Sequence, residues 1–193
     1  MAETPSTMLA LGTPVPTFQL EDAVSGRIVS GTDYGGSRAL LVMFICNHCP
    51  FVKHVVGELG RLGEDYLSRG VGIVAINSND VRLYPQDGPE RMKELADGEG
   101  WGFPFLLDDT QEVAKKFRAA CTPDFFLFGS DGRLAYRGQL DDSRPRNGRP
   151  VTGRDLRAAL DAVLEDRPVP EPQVPSVGCN IKWTTGNAPN YYG

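Results

Sequence analysis

Residues 38–77, RALLVMFICNHCPFVKHVVGELGRLGEDYLSRGVGIVAIN, decide the fold. RALLVMFI (38–45) is a continuous apolar run with β-branched and aromatic members, the pattern of a strand buried on both faces. The segment after it sets Val52, Val55, Val56, Leu59, Leu62 and Tyr66 at helical spacing. Pro50 suits the helix's first turn, where a missing N–H costs nothing, and Gly70 suits its exit. VGIVAIN (71–77) reads as a second buried strand. At the junction of the first strand and the helix stand Cys46 and Cys49, with His48 between them and His54 just beyond. A Cys-x-x-Cys there suits a redox dithiol or half of a metal site.

Downstream, the Gly/Pro/Asp-rich SNDVRLYPQDGP leads into a helix over ERMKELADGEG. FPFLLDD closes on Asp109 and Thr110, whose side chains predict N-caps for a helix over QEVAKKFRAA. DFFLFGSDGRLAYRGQL reads as two strands joined by an Asp131–Gly132 turn. Thr152 opens TGRDLRAALDAVLED, a Thr-x-x-Asp start that approximates a capping box. Alternating strands and helices with a late hairpin predict one α/β domain with a mixed sheet. Beyond residue 166 the chain turns proline-rich, RPVPEPQVPSVGCNIKWTTGNAPNYYG, and reads as an extended tail. The expected organisation is a domain over 1–166, with its core at about 12–165, and a tail over 167–193 packing on it.

At 193 residues, 40% hydrophobic and 23% charged, the composition is ordinary for a globular domain. A net charge of −5 argues against a nucleic-acid partner, because phosphate contacts need clustered Lys and Arg. The one basic stretch, RPRNGRPVTGR with Arg144, Arg146, Arg149 and Arg154, reads as a solvated loop, an anion site being the alternative. The N-terminus lacks a basic, then apolar, leader pattern, and no run approaches the roughly 18 apolar residues of a membrane span. No membrane partner and a cytoplasmic location are therefore expected. The four cysteines then point to catalytic or metal use rather than a structural disulfide framework.

A helix N-terminus favours thiolate over thiol, and a second cysteine three positions away is near enough to close a small disulfide ring. Disulfide exchange needs that combination: a low-pKa attacker and a resolving thiol. The order of apolar strand, Cys-x-x-Cys, helix, strand and then Thr-Pro before a strand resembles the thioredoxin fold. Its details resemble the AhpC/TSA- and TlpA/ResA-like redoxins. PVPTFQLEDAVSG is similar to that branch's N-terminal hairpin, and FPFLLDDTQEVAKKFRAACTPDFFLFGSDGRLAYRG to its cis-proline segment and terminal hairpin. The resemblance implies a thioredoxin-like fold, a mixed central sheet with helices on both faces, with an N-terminal hairpin extension and the proline-rich tail.

It also implies a disulfide oxidoreductase with no cofactor and no metal. Cys46 would attack, Cys49 would resolve, and Thr122 and cis Pro123 would present a substrate strand by backbone pairing. Its substrates would be disulfide-containing proteins or small thiols, with a reductase to recycle the dithiol. Asn47 and His48 would tune the site. His48 sits where the oxidase DsbA has histidine, so it would stabilise the Cys46 thiolate and raise the potential above thioredoxin's about −270 mV, towards DsbA's about −120 mV.

Ile45 stands where such sites usually carry Trp, and no buried carboxylate precedes the motif to accept the Cys49 proton; Glu58 and Glu64 lie beyond it. His54 reads as a surface or interface residue. Cys121 and Cys179 are possible auxiliary thiols, either paired with each other or supporting a relay through a tail that folds back. A peroxiredoxin-like peroxidase with an antioxidant role is the alternative enzyme. Peroxidases of that kind carry Thr-x-x-Cys here, and Cys46 in place of the threonine favours disulfide exchange. A metal-binding or redox-sensing protein without turnover is the alternative outside enzymes. Zinc on all four cysteines would serve it less well, because the second cysteine pair is dispersed. Copper or zinc on Cys46, Cys49 and His54 would also serve it less well: the copper-delivery redoxins it loosely resembles have a longer cysteine spacing and a distant histidine, whereas no histidine follows position 54 here.

Overall fold

The computed structural model describes residues 3–191; residues 1–2 and 192–193, the outermost parts of the expected domain and tail, lie outside them. The order is β1 (Glu3–Pro5), β2 (Gln19–Asp22), β3 (Ile28–Ser30), β4 (Ala39–Phe44), α1 (Pro50–Tyr66), β5 (Val71–Asn77) and α2 (Pro89–Gly98). Then come β6 (Phe105–Leu107), α3 (Glu112–Phe117), β7 (Cys121–Thr122), β8 (Asp124–Gly129), β9 (Leu134–Gly138), α4 (Arg154–Leu164) and β10 (Val177–Asn180). Among the described residues the main sheet has the order β3-β2-β6-β5-β4-β8-β9, parallel at β5–β6 and β4–β5 and antiparallel elsewhere.

The two apolar runs occupy its centre because they have apolar residues for both faces: every residue of β4 and β5 is buried. Side chains alternate across the sheet. Leu41 and Met43 join Val55, Leu59 and Leu62 of α1 and Leu156 and Leu160 of α4 in one core. Leu40, Val42 and Phe44 face the other, where Val113, Ala114 and Phe117 of α3 pack. There the rings of Phe44, Phe117 and Phe126 meet edge-on, with centroids 5.3–5.8 Å apart, the geometry aromatic quadrupoles favour. Buried Glu58 of α1 bonds Arg157 of α4 at 2.6 Å and joins the two helices. No helix among the described residues is long and apolar enough to cross a membrane.

Two helix starts differ from the sequence expectation. α3 is capped by neither Asp109 nor Thr110: its N-cap is Gln111, at φ +64°, and buried Asp108 accepts the N–H groups of Val113 and Ala114 at 3.3 and 2.9 Å. α4 starts after Gly153, at φ +64°, and buried Asp141 takes the N–H groups of Thr152 and Gly153 at 2.6 and 2.7 Å. In both places a buried carboxylate takes N–H groups at the helix start beyond the one N–H that the nearer threonine accepts, Glu112 N–H to Thr110 at 3.5 Å and Arg154 N–H to Thr152 at 3.3 Å, and propensity rules read along one segment cannot see it.

The segment after residue 166 is built into the molecule. β10 lies between β1 and β7 in a small antiparallel sheet, pairing Cys179 with Glu3 on one side and with Thr122 on the other. Ser176 Oγ donates to the Pro123 carbonyl at 2.6 Å, and Ile181 is fully buried in the α3-side core. Gly178 is required by contact: a Cβ there would stand 2.0 Å from the Thr122 carbonyl oxygen.

Candidate active site

The floor of the site is a carboxylate placed from far along the chain. Asp87 is fully buried in the turn before α2. Its Oδ1 accepts the backbone N–H groups of Asn47 and His48 at 2.8 and 3.0 Å. Its Oδ2 meets His48 Nδ1 at 2.5 Å and the Asn79 amide at 2.8 Å. Burial alone would raise the Asp87 pKa; the hydrogen bonds from His48 and Asn79 outweigh it and hold the carboxyl below its usual range. The His48 ring also stacks on Tyr84, with centroids 5.3 Å apart. The ring expected to bond Cys46 thus commits its Nδ1 to Asp87.

Above this floor the 46–49 loop carries both thiols into contact. Cys46 is 1% and Cys49 0% exposed. Cys46 Sγ lies 3.5 Å from Thr122 Oγ1. α1 begins at Pro50, so its N-cap is Cys49 and not Cys46. Cys49 Sγ accepts hydrogen bonds from the Cys179 and Cys46 thiols and from the Val52 N–H in the first helical turn. Burial opposes ionisation there, a hydrogen bond from the Thr122 side chain favours it, and the Thr122 carbonyl oxygen lies 3.2 Å from the sulfur. The converging donors prevail and lower the Cys49 pKa. Cys46 moves the other way: donation to Cys49, burial and the Asp87 charge all push its pKa up. Hydrogen bonding around the pair thus favours the thiolate on Cys49 over the thiolate on Cys46.

The Thr122–Pro123 peptide bond is cis, and this turn closes over the dithiol. The resemblance makes its backbone edge the place where a substrate strand would pair. In this chain β10 fills that edge, with Cys179 opposite Thr122. Cys121 is opposite Asn180, one residue out of register with Cys179. A one-residue offset turns side chains to opposite faces, so this arrangement disfavours a Cys121–Cys179 pair. No disulfide joins any of the four cysteines among the described residues. Cys121 donates to the Pro123 carbonyl at 3.6 Å, and burial, with nearby Asp124, pushes its pKa well up.

Of the other sequence candidates, Asn47 contributes its backbone N–H to Asp87, and its Oδ1 is buried without a partner among the described residues. His54 lines a small cavity beside Pro123 with Phe51 and Ser143, away from the sulfurs. In the basic loop Arg149 and Arg154 both pair with Asp142, and Arg144 bonds the Gln139 side chain and the Asp141 carbonyl. Cys46, His48 and Asp87 bring a sulfur, a ring nitrogen and a carboxylate oxygen within 4.8 Å of one another, a possible metal set. Within that set His48 and Asp87 already bond each other through Nδ1 and Oδ2. Sequence reasoning missed Asp87 itself. Its only trace is the polar stretch SNDVRLYPQDGP, where nothing local marks which acid turns inward.

The family model described as AhpC/TSA matches residues 11–137. The chain belongs to the AhpC/TSA family. It is 26% identical over 131 residues to the thiol-disulfide oxidoreductase ResA of Geobacillus thermodenitrificans, a match covering 68% of this chain and 70% of that protein. A putative peroxiredoxin of Mycobacterium tuberculosis is 32% identical over 111 residues, covering 57% of this chain and 64% of that one. The crystal structure of an uncharacterised conserved protein from Geobacillus kaustophilus is 57% identical, with a TM-score of 0.93 over 95% of this chain and 97% of that one. A putative thiol:disulfide interchange protein DsbE from Chlorobium tepidum, 17% identical with a TM-score of 0.63, covers 81% of this chain and 99% of its own. The fold is thioredoxin-like, in the redoxin branch.

Proposed function

We propose that this redoxin is a thiol–disulfide oxidoreductase working through Cys46 and Cys49, with Cys49 as the attacking thiolate and Cys46 as the resolving thiol. The observation that carries this reading is the convergence of the Cys179 and Cys46 thiols, the Thr122 hydroxyl and the Val52 N–H on Cys49 at the N-cap of α1, while Asp87 lies beside Cys46. It reverses the roles the resemblance implies, because the helix caps on the second cysteine. Similarity to ResA supports the reaction class.

In the forward half-reaction Cys49 thiolate attacks one sulfur of a disulfide. That S–S bond breaks, the distal sulfur leaves as thiolate, and a mixed disulfide remains on Cys49. Cys46 then gives up its proton and attacks Cys49 Sγ. The mixed bond breaks, the second substrate sulfur leaves, and the Cys46–Cys49 disulfide forms. Two electrons have passed to the substrate, and a reductase must restore them. With the Thr122 edge filled by β10 and both sulfurs buried, a small disulfide suits the site better than a paired protein strand.

Steady-state reduction of oxidised glutathione with a dithiol reductant tests this. Cys49→Ser should lose at least about a hundredfold in rate, and Cys46→Ser should still take up glutathione on Cys49 while forming no Cys46–Cys49 disulfide. Full activity of Cys49→Ser would refute the assignment. A second reading, thiol peroxidase, is favoured by the same burial, which admits small oxidants, and by the match to the putative peroxiredoxin. Cys49-dependent hydrogen peroxide consumption far faster than that of a free thiol would put it first.

A further inference from the structure

Cys49 has a thiol neighbour on each side. Cys46 approaches from its own loop, and Cys179 approaches from β10; both hydrogen-bond to Cys49. Cys179 is buried, 2% exposed, and the Phe51 N–H of α1 also donates to its sulfur. Its strand is held along both edges, by β1 at Glu3 and by β7 at Thr122, and the Thr122 carbonyl touches Cys49 Sγ at 3.2 Å. Beyond the strand, Lys182 N–H bonds Asn79 Oδ1 at 2.8 Å, and Asn79 in turn bonds Asp87. The tail and the floor of the dithiol are therefore one hydrogen-bonded unit. Two sulfurs already in contact have only a short approach left before the roughly 2.05 Å of an S–S bond.

We propose that Cys179 is a third redox thiol, a second resolving cysteine that takes the disulfide from the Cys46–Cys49 pair onto a Cys49–Cys179 pair. This rests on the dithiol reading above. Cys179 loses its proton and attacks Cys49 Sγ in the Cys46–Cys49 disulfide. The Cys49–Cys179 bond forms, the Cys46–Cys49 bond breaks, and Cys46 leaves as thiolate and takes up the proton. No electrons enter or leave, so no further oxidant is needed. The same attack on a mixed disulfide at Cys49 expels the substrate thiolate instead. Cys49 is thus the shared partner, and Cys46 and Cys179 are alternative resolvers.

Oxidised glutathione, alkylation and peptide mapping on full-length chains test this. Cys46→Ser should close an intrachain Cys49–Cys179 disulfide, and release of glutathione from Cys49 should slow at least about tenfold when Cys179→Ser is added, as expected for loss of a well-placed intramolecular nucleophile. Gly178→Val, which displaces β10 from the Thr122 carbonyl, should abolish the Cys49–Cys179 bond yet keep the Cys46–Cys49 bond, and that retained bond reports an intact site. If wild type closes Cys46–Cys49 but Cys46→Ser only keeps glutathione on Cys49, with Cys179 fully alkylated, the third-thiol proposal is overturned and the dithiol reading stands. If wild type closes no intrachain disulfide, both fall.

Discussion

Asp87 and Asp124 are both fully buried, yet their surroundings act on them in opposite senses. Asp87 accepts hydrogen bonds from His48, Asn79 and two backbone N–H groups and stays ionised. Asp124, beside the cis-proline, has too few donors to offset burial, leaves Oδ1 unpartnered among the described residues, and is pushed up to about 7. A depressed carboxylate contributes stability above its unfolded pKa and loses it in acid, so Asp87 should weaken the fold as pH falls below the ordinary carboxylate range. A raised one works the other way: the Asp124 contribution is complete below an unfolded pKa of about 3.9 and is lost as pH rises through about 7. Urea unfolding at a series of pH values should show Asp124→Asn gaining on wild type above neutrality, by of order 3–4 kcal/mol at most, with the gap closing below pH of about 4. An unchanged gap across that range would remove Asp124 as the cause. Cys46 and Cys49 were legible in the sequence because spacing carries them. Asp87 was not, because it stands 40 residues beyond Asn47 and is aimed by packing alone.

Elements follow the same division. The apolar runs fixed β4 and β5, and helical spacing fixed α1, because burial on both faces or along one stripe is written in consecutive residues. Caps were less legible. Asp109 and Thr110 have the right chemistry for α3, yet Asp108, held by the Ser78 hydroxyl and the Asn77 carbonyl, takes the Val113 and Ala114 N–H groups. Asp108→Ala should cost about 1–3 kcal/mol, the usual penalty for orphaning buried partners. Exposed Asp109→Ala should stay within about 0.5 kcal/mol. Equal effects in denaturant unfolding would return the cap to Asp109. Phe117, fully buried among Phe44, Phe126 and Phe128, holds α3 to the sheet. Phe117→Ala should cost about 3–5 kcal/mol and lower Tm without altering thiol reactivity, since it lies in the core on the far side of the sheet from the thiols.

At the scale of the whole molecule, this chain is distinguished by the segment beyond its family match. The AhpC/TSA match ends at residue 137, before α4 and β10, whereas the Geobacillus kaustophilus structure aligns over 95% of the chain. The tail composition predicts an extended segment, and within it Val177–Asn180 forms β10. Its destination was unreadable, because β10 pairs with β1 and β7 through backbone groups that every sequence has. That pairing places Cys179 against Cys49 and fills the Thr122 edge, which underlies the preference for small substrates proposed above. The most direct test is to expose the wild-type chain briefly to a small disulfide at mildly acidic pH, quench it with acid, and map the first sulfur to react. The adduct should be on Cys49, the sulfur to which the proposed mechanism assigns the thiolate. A first adduct on Cys46, with Cys49 still reduced, would contradict the assignment of charge and attack on which the proposed mechanism stands.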